Sequence, residues 1–313
     1  MEAARVSTRA TPSRLDRAQL GLLGVLLALA VVAWLVTDDR MGGMESTPGM
    51  TLGGLGFYVT VWVVMMAAMM FPSVAPTVLM YDRLRDGHRE RGKGAPADAT
   101  ALFVAGYLLV WTLAGLIAYG LIELVRAIDP AFLAWDEAGR YVTGGVIVTA
   151  AVYQLTPLKE ACLTKCRSPM MFLAERWRHG RLGALELGAR HGAWCLGCCW
   201  ALMAALFAVG VMSLGWMALI AAFIALEKLL PWRAVAQGTV TVALLVLATA
   251  VATAPDDVPG LTVPGSPEAE QAMEAMGMEA EPADSGSMGE MEAGDQPDAP
   301  GMEPGADMDE MAP

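Results

Sequence analysis

Apolar residues gather along this chain in blocks close to the length a helix needs to cross a bilayer, about 20 residues. Seven such blocks stand out, at approximately 20–36, 55–71, 101–125, 142–158, 193–212, 214–230 and 237–253. They predict an all-α integral membrane protein with about seven transmembrane helices. The fifth and sixth blocks are parted only by Ser213-Leu214-Gly215, which implies a tight helical hairpin. Between the fourth and fifth, Ser168-Pro169 forms an N-cap and first-turn pair, and Met170, Leu173 and Trp177 follow at helical spacing with Arg176 and Arg178 between them. That pattern predicts a short interfacial helix. The first block follows several arginines, yet Thr37-Asp38-Asp39-Arg40 offers no small-residue cleavage site, so it reads as an uncleaved signal anchor.

Composition agrees: 55% of the residues are hydrophobic, more than one water-soluble core of this size hides. Charge divides the chain. The net charge is -12, but every Lys and Arg lies at or before Arg233, whereas 16 of the 33 acidic residues follow position 254. Three regions are therefore expected: a cytoplasmic segment 1–18, a helical membrane domain 19–253, and a tail 254–313. The tail is rich in Gly, Pro, Ala, Asp and Glu and nearly empty of large apolar residues other than Met, so disorder is expected.

Orientation follows from the basic residues, which favour cytoplasmic loops. Alternate connections carry Arg5, Arg9, Arg14 and Arg17, then Arg83, Arg85, Arg89, Arg91 and Lys93, then seven residues from Lys159 to Arg190, then Lys228 and Arg233. The other side has Arg40, Arg126 and Arg140. An inner-membrane protein with a cytoplasmic N-terminus and an extracytoplasmic tail is expected. The basic residues sit in short loops rather than on one broad face, so no nucleic-acid partner is implied. There is no P-loop pattern and no HExxH, and no cytoplasmic segment could hold a nucleotide-binding domain, which excludes a self-powered ATPase.

All five cysteines fall in two motifs, Cys162-Leu-Thr-Lys-Cys166 at the end of the fourth block and Cys195-Leu-Gly-Cys198-Cys199 in the fifth. Both ends are placed on the cytoplasmic side, where thiols stay reduced and soft-metal ligation is the natural use. On helices, Cys162 and Cys166 share a face, and His191, Cys195, Cys199 and Met203 form a stripe in four-residue steps that Cys198 can join. The plain alternative is that each cysteine is a small packing residue.

The second block carries Met65, Met66, Met69 and Met70, two nested MxxxM pairs whose thioethers suit copper(I) or silver(I) and not magnesium, calcium or manganese. Methionine is also an ordinary filler between helices. The same residue returns at Met41, Met44 and Met50 and in the tail at Met273, Met276, Met278, Met288, Met291, Met302, Met308 and Met311. Thioethers among carboxylates suggest a weak copper(I) collector. Gln154, Lys159, Glu227 and Lys228 lie near the ends of blocks, where long side chains are expected to snorkel to water. His88 and His179, set among arginines, are expected to be solvated.

The strings Met65-Met66-Ala-Ala-Met69-Met70-Phe-Pro72-Ser73, Tyr153-Gln-Leu-Thr-Pro-Leu-Lys-Glu-Ala-Cys162, Cys166-Arg-Ser-Pro169 and Cys195-Leu-Gly-Cys198-Cys199-Trp200-Ala-Leu-Met203 resemble a prokaryotic family of predicted metal-binding integral membrane proteins, a domain of unknown function. The resemblance covers roughly residues 55–232. Some members of that family are named copper chaperones, which implies metal binding at these motifs and, as partners, the bilayer, the metal ion and a copper-dependent protein or metallochaperone. The expected function is binding, transfer or uptake of copper(I). Two alternatives stay open: a membrane thiol–disulfide electron carrier, and a structural or assembly subunit whose cysteines hold zinc or an iron–sulfur centre.

Overall fold

A computed structural model of the chain describes residues 16–41, 54–91, 96–128, 138–209, 213–258 and 261. Met44, Met50 and the eight tail methionines lie outside the described residues, as do segments 1–15 and 262–313. The described residues form α-helices and no strand: α1 (Arg17–Met41), α2 (Leu55–Glu90), α3 (Ala99–Ile128), α4 (Arg140–Gln154), α5 (Pro157–Arg167), α6 (Pro169–Arg176), α7 (Gly180–Val209), α8 (Leu214–Leu229) and α9 (Arg233–Thr253).

Five of these, α1, α2, α3, α7 and α9, are long and apolar enough to cross a membrane. Together α4 and α5 supply a sixth candidate, but they meet at a bend of 65°. The predicted block 142–158 is therefore broken, its last residues lying in α5. The cause is local: proline has no N–H to donate and disfavours helix in the residue before it, so α4 stops ahead of Thr156-Pro157. Thr156 then caps α5, its side chain accepting from the Lys159 N–H. The sixth predicted block, 214–230, is α8, which at 16 residues is shorter than these five helices.

Helices α2 and α7 extend well beyond their apolar blocks. At 36 residues α2 is about 54 Å long, nearly twice a hydrocarbon core. Pro72 and Pro76 lie inside it, and the Ser73 hydroxyl donates to the Met70 carbonyl one turn earlier. Helix α7 starts at Gly180, whose φ of +83° suits glycine alone, some 13 residues before the predicted block.

Packing is closest where glycines let backbones touch. A Cβ at Gly188 of α7 would collide with the Phe103 carbonyl of α3, and one at Gly106 of α3 with the Leu185 carbonyl of α7. Small residues at a helix crossing raise the number of van der Waals contacts, the attraction that remains when lipid is as apolar as the core. On the other side of α3, the Trp62 indole donates to the Trp111 carbonyl (2.7 Å) and the Tyr58 hydroxyl to the Gly115 carbonyl (3.1 Å), joining α2 to α3. Helix α1 buries the stripe Gln19, Leu26, Ala30, Ala33 and Thr37, while its Leu20, Val25, Val31 and Leu35 stay exposed. Helix α6 turns Phe172 and Leu173 inward and leaves Met170 exposed, a rotation from the predicted Met170–Leu173–Trp177 face. After α9 a short turn at Pro255–Asp257 leads to the buried Val258 and Leu261.

Candidate metal centre

Helix α7 presents Cys195, Cys198 and Cys199 at relative positions i, i+3 and i+4, one face of the helix. Their sulfur atoms all lie within 4.8 Å of one another, and all three residues are buried. The Cys198 and Cys199 thiols both donate to the Cys195 carbonyl, at 3.1 and 2.9 Å. Without a fourth group this would be a compact patch on one helix.

The bend between α4 and α5 supplies that group. It swings α5 against α7, and Cys166 Sγ comes to 3.9 Å from Cys198 Sγ. Two contacts hold the approach. The Tyr153 hydroxyl donates to the Gly197 carbonyl (2.6 Å), and Cys162 Sγ lies 2.8 Å from where a Cβ on residue 197 would sit. Cys162 and Cys166 do share a buried face of α5, but Cys162 packs on the glycine while Cys166 meets the α7 thiols. All five cysteines are free and buried.

Polar groups surround the sulfurs. Lys228 Nζ donates to Cys195 Sγ (3.1 Å) and to Ser73 Oγ (3.2 Å), bridging α8, α7 and α2. The Tyr107 hydroxyl of α3 lies 3.0 Å from the same Cys195 sulfur. One residue before Lys228, Glu227 pairs with Lys159 of α5, both carboxylate oxygens accepting from Nζ at 2.8 and 2.7 Å. Lys159 also contacts Gln154 Oε1, and Arg167 donates to the Glu227 and Leu230 carbonyls at the α8 C-terminus. Lys159 is 0% exposed and Glu227 2%. The expectation that these side chains snorkel to water is thus overturned for Lys159, Glu227 and Gln154: the bend brings α5 onto the end of α8, and the charges find each other there. Lys228, only partly buried, likewise turns inward to Cys195.

The other predicted residues are placed as follows. His191 is buried one turn before Cys195, among the rings of Phe103, Tyr107 and Phe172, and its Nδ1 has no hydrogen-bond partner among the described residues. It does not join the three-thiol group. Met203 is buried one turn beyond Cys199. Met65, Met66, Met69 and Met70 are all buried in α2. His88 is not simply solvated: it stacks on Trp177 at 4.6 Å, and His179 meets its edge at 5.4 Å.

Sequence reasoning missed Lys228, Tyr107 and Ser73 as neighbours of the sulfurs. Adjacent charges inside an otherwise apolar block, Glu227-Lys228, were the available signal. Chemically, four converging thiols suit soft or borderline metals once deprotonated, and a lysine and a phenol lie at hydrogen-bond distance from one of them. No curated protein and no solved structure matches the chain. Residues 59–251, from early in α2 to the end of α9, match the model of the family described as PpoB2, copper chaperone. That match spans more than half of the sequence and holds all five cysteines, and the chain belongs to the PpoB2 copper chaperone family.

Proposed function

We propose that this protein is a membrane-embedded copper chaperone that binds copper(I) as cargo at Cys166, Cys195, Cys198 and Cys199. The observation that carries the reading is the convergence of the three α7 thiols with Cys166 from α5. Copper(I) takes soft ligands and low coordination numbers, so two or three of the four thiolates, with Cys198 at their meeting point among them, hold the ion and the rest can receive it during exchange. Cys162, His191 and Met203 flank the centre as secondary donors. The methionines of α2 act as a second, weaker thioether station and those of the first loop and tail as a weak copper(I) collector, a gradient of ligand softness suited to inward transfer. In this reading α8 completes seven spans and the apolar outer faces of α1, α3 and α9 meet lipid. The N-terminus and the thiol centre lie toward the cytoplasm, and a copper-dependent protein or metallochaperone receives the ion.

The test is metal content by mass spectrometry on protein purified anaerobically under reducing conditions with copper(I) supplied. The intact chain is compared with one in which all five cysteines are serine. Stoichiometric copper in the first and none in the second is expected. Equal copper in both would sink the proposal, and stoichiometric zinc or iron in the intact chain would replace copper by those metals.

One observation favours a second reading. Cys166 and Cys198 lie 3.9 Å apart, close enough that modest motion would form the disulfide bond of about 2.05 Å. Acting as an electron carrier, the pair would lose two protons and two electrons to a partner protein's disulfide, which becomes two thiols. A mixed disulfide trapped by Cys166→Ser or Cys198→Ser would support this reading over metal transfer.

A further inference from the structure

Lys228 presents a charge problem. Its neighbour Glu227 is fully engaged by Lys159, with both oxygens accepting from one ammonium. No carboxylate pairs with Lys228 among the described residues, whose ion pairs near this point include Lys159 with Glu227 and Arg233 with Glu160. Arg167 is turned away, onto the carbonyls that end α8. The hydrogen-bond partners of Lys228 are a serine hydroxyl and a thiol, and the nearby Tyr107 hydroxyl is neutral when protonated. An ammonium group partly withdrawn from water, with no carboxylate of its own to pair with, carries a cost that a nearby counter-charge would offset.

A copper(I) ion bound by two thiolates carries one net negative charge, and by three, two. Such a complex is costly in the same surroundings for the opposite reason. The two unmatched charges meet at Cys195 Sγ, 3.1 Å from Lys228 Nζ. We infer that Lys228 is the counter-cation of the thiol centre: its ammonium offsets the negative charge of the loaded complex and holds the Cys195 sulfur in position for the metal. This rests on the proposed copper(I) site and adds to it a positioning residue from a third helix. Through Ser73 the same ammonium also ties the centre to α2, three residues beyond Met70 and on the turn where Ser73 donates to the Met70 carbonyl. A single side chain thereby links the thioether segment to the thiols.

The experiment measures copper(I) affinity of the full chain by competition with a chromogenic copper(I) chelator, in parallel with the melting temperature of the metal-free protein. The variants are Lys228→Met, Lys228→Gln and Lys228→Arg. Gln keeps a hydrogen-bond donor without charge, and Arg keeps the charge. Hydrogen bonds involving charged groups predict a loss of roughly ten- to hundredfold in affinity for Met and Gln, with Arg within about threefold of the native chain. Equal affinity in Gln, Arg and native protein would overturn the inference. If Lys228→Met fails to fold, the Gln and Arg pair decides it alone. A purely structural lysine would lower the melting temperature of Gln and Arg alike without separating their affinities, and that outcome also overturns it. Failure of the native chain to bind copper(I) would instead reject the proposed function, so the two failures remain distinct.

Discussion

The cysteines of α7 and the methionines of α2 are both buried sulfur groups at one-turn spacing in long apolar helices, yet their surroundings differ. The thiols face a second helix that brings another thiol, a third that brings Lys228 and a fourth that brings Tyr107. The methionines lie in the same hydrophobic core as the thiols, on the α2 side with Tyr58, Trp62, Phe71 and Val74. Sulfur density is therefore not what sets the two regions apart. Convergence from several helices, together with polar groups that can stabilise an anionic sulfur, does so, and the bend at Thr156-Pro157 produces it.

The largest test of that contrast is to remove single donors. Cys198 touches Cys166 and the Cys195 carbonyl, so Cys198→Ser should weaken copper(I) binding by more than the roughly 10–100-fold typical of outer-sphere changes. Replacing Met65, Met66, Met69 and Met70 together by Leu should leave affinity at the thiol centre within about tenfold while slowing loading, read by stopped-flow mixing with a copper(I)–chelator complex. Similar losses in both variants would erase the distinction between the regions.

Next in size is the ion pair that holds α5 on α8. Glu227→Gln leaves Lys159 buried with no carboxylate and should cost about 3–5 kcal/mol, measured by denaturation in detergent micelles. The double variant Lys159→Met, Glu227→Leu should recover most of it, because two apolar side chains replace two charges. By contrast, Lys165 and Glu175, an ion pair on the exposed side of the same corner, should matter by less than about 1 kcal/mol.

Smaller effects come from the glycines. Gly188→Ala forces a Cβ into the Phe103 carbonyl and should cost about 3 kcal/mol, since backbone has little room to yield. Gly197→Ala meets the end of the Cys162 side chain at 2.8 Å and should cost about 1 kcal/mol, partly offset by alanine's better helix propensity. Its sharper readout is copper retention, because moving Cys162 moves α5 and with it Cys166. Unchanged retention would show that the Gly197 contact does not set the Cys166–Cys198 distance.

The sequence by itself determined the helical class, the positions of most apolar helices, the short helix after Ser168-Pro169 and the grouping of all cysteines into two motifs. These are properties of one segment at a time, set by hydrophobic length and by residue spacing on a helix. It also held the Thr156-Pro157 signal, of the same kind as Ser168-Pro169, but the continuous apolar run across it pointed to a single helix. Tertiary structure alone decided that α5 turns by 65° onto α7, that Cys166 and not Cys162 meets the α7 thiols, and that Lys159, Glu227 and Lys228 point inward. Those outcomes depend on which helices become neighbours. A lysine near a helix end can reach water or a buried partner with equal ease, and only the packing of α5, α7 and α8 puts a carboxylate beside Lys159 and a sulfur beside Lys228.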